Sequence, residues 1–135
     1  MAAQTLAGCV TPPSGPPALP APGSETLRLG ESARIAGVTV RALRVEEDSR
    51  CPATVQCIQA GTVRLRIAIV GEADEAMLRL HEPQNFGSGA WLMLLAVCPE
   101  PRVPGPIAPA AYRFTLIASH GPVTRPHPAA CPSPP

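Results

Sequence analysis

With 135 residues, 19 of them proline, the chain has room for one domain, and roughly 100 residues remain to close a single thin core once the Pro-rich ends are set aside. Its formal charge of +1, from 11 basic and 10 acidic residues spread along the chain, offers no basic stripe of the kind a nucleic-acid partner requires. The longest apolar run, Ala90–Val97, falls far short of the ~20 residues needed to cross a bilayer as a helix.

The N-terminal "MAAQTLAG" lacks the basic region and the apolar length of a full signal peptide. Leu6–Cys9, "LAGC", nevertheless looks like a bacterial lipobox, in which the cysteine becomes the lipidated first residue after cleavage. Met1 is then read as a truncated or misassigned start, with the rest of the signal upstream, and residues 1–9 as its remnant. Acyl chains on Cys9 would hold the protein at a membrane through burial of methylenes, at about 0.8 kcal/mol each. Residues 10–24, "VTPPSGPPALPAPGS", cannot build helix or sheet, because proline lacks the donor and biases its neighbours to extended geometry. They read as a semi-rigid tether of roughly 40 Å at ~3.1 Å per residue.

From residue 25 to 120 the pattern has period two. Short strands are expected at Thr26–Leu29 and Ser32–Ala36, followed by a run in which Val38, Val40 and Ala42 share one face and Thr39, Arg41 and Leu43 the other. Val63, Leu65, Ile67 and Ile69 alternate with Thr62, Arg64, Arg66 and Ala68, the clearest half-buried strand in the chain. "GEADEA", Gly71–Ala76, is a hairpin turn, and Ala76–His81 a further strand. Trp91–Val97 is apolar on both faces and reads as a central strand, and Ala111–Ala118 places Tyr112, Phe114 and Leu116 together. About seven strands separated by Gly, Pro or Asn turns predict an all-β domain, an antiparallel sandwich or small barrel. The segments 81–91 and 98–112 are expected to be irregular, with Pro99, Pro101, Pro104, Pro106 and Pro109 stiffening the second into a cover for a sheet edge. The tail 121–135 is again Pro-rich.

Five cysteines is an odd number, which an exported protein must account for. With Cys9 lipidated, Cys51, Cys57, Cys98 and Cys131 remain to form two disulfides. In "DSRCPATVQC", residues 48–57, five residues separate the cysteines, whereas zinc sites favour pairs spaced by two and a redox pair wants two at a helix start. A structural Cys51–Cys57 disulfide is the favoured reading. It would stabilise by about 2.4 kcal/mol on the chain-entropy model, and Cys98–Cys131 by about 3.8 kcal/mol. Asp48 and Ser49 suit an Asx-type turn ahead of the knuckle.

The segment "VEEDSRCPATVQCIQAG", Val45–Gly61, resembles one shared by small, mostly uncharacterised bacterial lipoproteins and exported proteins. Its usual form runs Asp-Ser-Arg-Cys-Pro, two variable residues, Val, one variable, then Cys-Val-Trp-Ala-Gly and a strand. The 17-residue core carries the likeness, and a looser pattern extends over "LRLGESARI" and the closing "Y-x-x-T-L" strand. Gln59 stands where the group has tryptophan, which removes any aromatic role at that position. The resemblance implies export and a β-fold and assigns no activity.

Candidate chemistry is sparse. None of Ser14, Ser24, Ser32, Ser49, Ser88, Ser119 and Ser133 lies in a nucleophile elbow, and "NFGSG", Asn85–Gly89, lacks the lysine and helix of a phosphate loop. Glu46, Glu47 and Asp48 read as a solvated strand end. An enzyme would need a pocket gathering Glu46, Asp48 and His81, and copper would draw on His120, His127 and Met93. Phe86, Trp91 and Tyr112 are too few for a nucleic-acid stacking platform.

The sequence therefore predicts a non-catalytic accessory domain that needs no cofactor. It would be held at the periplasmic side of a bacterial envelope membrane by lipid on Cys9, or secreted, and would contact another periplasmic or membrane protein, such as the core of a membrane-associated complex. The alternative is a periplasmic metal-binding or redox protein using His81, His120 or the cysteines, with zinc held by Cys51, Cys57 and His81.

Overall fold

The computed structural model describes residue 8, residues 22–52, 55–87, 89–101 and 106–121, and residues 123 and 131. Cys9, most of the N-terminal Pro-rich stretch, Ser88, Pro104, His127 and most of the C-terminal tail lie outside the described residues.

Among the described residues, eight strands form two four-stranded antiparallel sheets, a sandwich and not a closed barrel. The strands are β1 (Gly23–Leu27), β2 (Ser32–Ile35), β3 (Val38–Asp48), β4 (Val63–Ile69), β5 (Ala76–Arg79), β6 (Gln84–Asn85), β7 (Trp91–Cys98) and β8 (Arg113–Ser119). The first sheet has the order β1-β8-β7-β6 and the second β2-β3-β4-β5. A single-turn 3-10 helix, Pro109–Ala111, precedes β8.

Alternation decides which residues face inward. Val63, Leu65, Ile67 and Ile69 of β4 meet Leu92, Leu94, Phe114 and Leu116 of the facing sheet in one apolar core, joined by Leu27, Ile35, Val40 and Leu78. The apolar character of β7 on both faces matches its place between β8 and β6, where Leu92 through Val97 are all buried. The described strand ends differ from the alternation reading by a few residues. β1 starts at Gly23, inside the stretch read as tether, and β3 continues to Asp48.

Segment 81–91 is less irregular than expected. β6 pairs Gln84 with Leu92 and Asn85 with Trp91, and the Gln84 side-chain amide donates to Met77 O at 2.7 Å. Two polar residues carry no period-two signal, so this eighth strand is invisible to pattern reading. Just ahead of it the chain changes sheets: Leu80 N donates to Val63 O in one, His81 N to Leu94 O in the other. His81 takes φ 67° at that corner, a left-handed backbone in which non-glycine residues are uncommon.

β3 is bent by two irregularities, between Ala42 and Arg44 and between Val45 and Glu47. Each adds a residue and shifts the alternation, so the inward series runs Val38, Val40, Ala42, Val45, Asp48. Arg44 pairs with Arg66 and Glu47 with Arg64 on the outer face, while Asp48 pairs with Val63 and points toward the other sheet.

Candidate functional site: the clamp and knuckle at one end of the sandwich

At the far end of β3 the inward-turned Asp48 meets Arg50 and Tyr112. Arg50 Nε donates to Asp48 Oδ1 at 2.9 Å and Arg50 Nη2 to Oδ2 at 2.8 Å, a bidentate pair. Tyr112 Oη donates to Asp48 Oδ2 at 2.8 Å from the residue just before β8. The guanidinium also reaches across the sandwich, with Nη1 donating to Val97 O at 2.7 Å and Nη2 to Pro99 O at 3.1 Å. The Asp48 and Arg50 side chains are only 13% and 12% exposed, so this pair is shielded from water in a way the other ion pairs among the described residues are not. The network therefore binds the end of β3 to the end of β7 and the beginning of β8.

Burial pushes the Asp48 carboxyl up, but the hydrogen bonds from Arg50 and Tyr112 and the Arg50 charge outweigh it and hold the group below its ordinary range. Burial and the bond to Asp48 together push the Tyr112 hydroxyl up to about 12. Tyr112 thus stays protonated as a donor. Its ring stacks on Phe114, centroids 5.4 Å apart, which fixes the hydroxyl's direction.

The knuckle grows from this clamp. Arg50 N lies 3.4 Å from Asp48 Oδ1, the Asx-type turn. Ser49 keeps pairing with the neighbouring strand: Ser49 N and Oγ both donate to Thr62 O, at 2.8 and 3.2 Å, and Thr62 N donates back to Ser49 Oγ at 3.0 Å. Gly61 passes so close that a Cβ there would fall on the Ser49 carbonyl, so only glycine fits. Cys51 and Cys57 form the first disulfide, with Cα atoms 5.9 Å apart. Cys98 and Cys131 form the second, with Cα atoms 5.4 Å apart, and bring position 131 back to the clamp end of β7. The Cys98–Pro99 peptide is cis. Residues 55–60, the end of the disulfide ring and the three residues after it, are exposed, and Ile58 projects entirely into solvent at 103% relative exposure.

The other candidates read from the sequence are not brought together. Of the acidic run, Asp48 is not a solvated strand end but the centre of the clamp. Glu46 lies on the opposite face, accepting from Arg44 Nε and Arg66 Nε at 2.8 Å each, and the Arg66 guanidinium holds its carboxyl below the usual range. His81 Nε2 bonds to Leu95 O at 3.1 Å and His120 Nε2 to Ala36 O at 2.8 Å, each ring anchored on a backbone carbonyl. Glu46, Asp48 and His81 therefore belong to three separate networks. The disulfide between Cys51 and Cys57 takes both thiolates out of any zinc site. Among the described residues no three His, Cys, Asp or Glu side chains gather as a metal site would require.

The arginines are arranged in a way the sequence does not reveal. They are not spread evenly: Arg34, Arg41, Arg44, Arg64, Arg66 and Arg79 share the outer face of the sheet β2-β3-β4-β5. Glu46 and Glu75 neutralise Arg44 and Arg66, while Glu47 lies 3.9 Å from Arg64 and Glu82 3.9 Å from Arg79. The parity of each strand contains this signal, but the bulges in β3 conceal the position of Arg44.

No protein-family model, curated protein or solved structure matches the chain.

Proposed function

We propose that this protein is a non-catalytic, exported accessory domain that presents its stapled knuckle to a protein partner in the bacterial envelope. The observation that carries the reading is Ile58, an apolar side chain fully in solvent immediately after the Cys51–Cys57 ring, which starts next to the Asp48–Arg50–Tyr112 clamp. Val55, also exposed, flanks it. A disulfide beside the contact residue reduces the conformational freedom its segment has to lose on docking, which is how small contact surfaces gain affinity.

Two disulfides suit an oxidising compartment, and the likeness of Val45–Gly61 to segments of bacterial lipoproteins and exported proteins supports the same placement. In this reading Cys9 carries the lipid and the Pro-rich stretch after it is the tether. The clamp's hydrogen-bonding capacity is used up holding chain segments, and no buried side-chain N or O atom among the described residues lacks a partner. That supports a structural role for the cluster.

The test is a photo-crosslinking residue at position 58 of the full chain, expressed in its native envelope. The expected result is one covalent adduct with an envelope protein, lost when Val55→Asp is added. Crosslinking at 58 with no preferred product, while the same probe on the β2-β3-β4-β5 face gives a discrete one, would move the contact surface elsewhere.

A further inference from the structure

The outer face of the sheet β1-β8-β7-β6 is buried at its centre although no described strand lies on it. On β7, Leu92, Leu94 and Val97 belong to the core between the sheets, which turns Trp91, Met93 and Leu95 outward, with Met93 paired to Ile117. Met93 is nevertheless only 1% exposed and Leu95 8%, and Trp91 and Ile117 are half-buried. An outer sheet face of an antiparallel sandwich ordinarily meets water, so apolar side chains this well covered have something resting on them. The second sheet packs on the opposite side, and Phe86 and Ile107, from the described connections flanking β7, rest against the core instead.

Two described contacts put both ends of the C-terminal segment on this same face. Ser119 follows the inward Ala118, and its outward Oγ accepts from Gly121 N at 3.1 Å. Cys98 follows the inward Val97, and its outward sulfur is bonded to Cys131. Ser119 pairs with Trp91 and Cys98 with Arg113, so the two anchors sit at opposite ends of the neighbouring strands β7 and β8, ~23 Å apart at ~3.3 Å per residue. The chain from Gly121 to Cys131 reaches ~31 Å in polyproline geometry and ~36 Å at most. A path over the second sheet adds ~10 Å in each direction, for ~43 Å in all, and is out of reach. A path along the face is not, and Val123, near its start, is half-buried.

We propose that the outer face of the first sheet, through Met93, Leu95 and Ile117, is the docking surface for the chain's own residues 122–130, fastened at the clamp end by Cys98–Cys131. The segment brings Pro122, Val123, Pro126, Pro128, Ala129 and Ala130 to that apolar surface, and proline and alanine lose almost no side-chain entropy when held. The second disulfide then has a task beyond closing a ring: it keeps a covering segment in place over one side of the sandwich. With that side taken, the knuckle and the outer face of the second sheet are the surfaces left for a partner. The placement holds with or without lipid on Cys9.

The experiment uses the full, oxidised chain with the photo-crosslinking residue benzoylphenylalanine placed in turn at positions 125, 127 and 129. After irradiation each sample is reduced and digested with trypsin, so that only photochemical bonds remain. Expected is an adduct joining the C-terminal peptide to peptide 80–102, with the attachment point moving from Met93 toward Leu95 and Cys98 as the probe moves from 125 to 129. Ile117→Asp, which sets a charge on the outer face and not in the core between the sheets, should lower the yield from position 127 about five-fold or more. An unchanged yield overturns the proposal. So do adducts with peptides of the second sheet, adducts with another molecule, the reverse order along β7, or no adduct from any of the three positions. A probe at position 18 that attaches to Met93 while those at 125, 127 and 129 do not overturns it too, and assigns the cover to the N-terminal Pro-rich stretch.

Discussion

Replacing Asp48 by alanine removes the carboxylate and leaves the Arg50 guanidinium, 12% exposed, facing two backbone carbonyls with no counter-charge. Breaking a buried ion pair from one side costs about 3–5 kcal/mol, and the surviving carbonyl bonds place this case near 3 kcal/mol. In a folded body of about 100 residues each kcal/mol shifts Tm by about 4–8 °C, so the loss is about 12 °C or more. The assay is guanidinium chloride unfolding under non-reducing conditions, followed through the fluorescence of Trp91, the chain's one tryptophan. Glu47→Ala is the internal control. It breaks a 3.9 Å pair with Arg64 whose side chains are 40% and 44% exposed, and should cost no more than ~0.5 kcal/mol. A loss below ~1 kcal/mol for Asp48→Ala, level with that control, would show that the clamp is an ordinary surface pair and that the two ends it joins are held by other means.

Tyr112 is the only tyrosine, so absorbance at 295 nm titrates it alone: its midpoint should lie near 12 and move down in Asp48→Asn while staying raised, because burial, the larger cause, remains. A raised folded pKa means its stabilising share is intact below pH 10 and fades as pH climbs to about 12. Asp48 has the opposite sign. Its pKa is depressed in the fold, so its contribution is present above the unfolded value of ~3.9 and disappears as pH drops through the lower folded value. The stability gap between the parent and Asp48→Asn, measured by denaturant titration, should therefore shrink on acidification from pH 5 toward pH 2. Gly61→Ala should destabilise by about 2 kcal/mol or more, because its methyl must displace the Ser49 backbone, and a midpoint equal to the parent's contradicts the close approach. Cys51→Ser/Cys57→Ser should cost about 2.4 kcal/mol in the same unfolding assay.

Alternation alone places much of the core, because β4 and β8 keep their period along most of their length, while β7 is apolar on both faces and breaks its register between Leu94 and Ala96. It fails after Ala42. The two irregularities of β3 invert the parity twice within six residues, and nothing in "ALRVEED" announces where an extra residue is accommodated. For that reason the inward turn of Asp48 is hidden, and with it the clamp. Its third member, Tyr112, lies 64 residues away and meets Asp48 only because the two sheets face each other. The knuckle is more legible: cysteine spacing, Pro52 and the short polar residues before Cys51 are local signals that need no knowledge of distant partners. The arginine-rich face is legible in part. Arg64 and Arg66 show their side by alternation with Val63, Leu65 and Ile67, but their alignment with Arg34, Arg41 and Arg79 depends on sheet register.

The scaffold reading depends on how the four sulfurs are bonded, and proteolysis reads that directly. Trypsin under non-reducing conditions, cutting after Arg50, Arg64, Arg79, Arg102 and Arg113, isolates Cys51 and Cys57 in one peptide and separates Cys98 from Cys131. The account predicts peptide 51–64 two hydrogens lighter than its reduced form, and peptide 80–102 covalently joined to the C-terminal peptide that carries Cys131. Alkylation of Cys51 or Cys57 without reduction, or either one joined to Cys98 or Cys131, would contradict it.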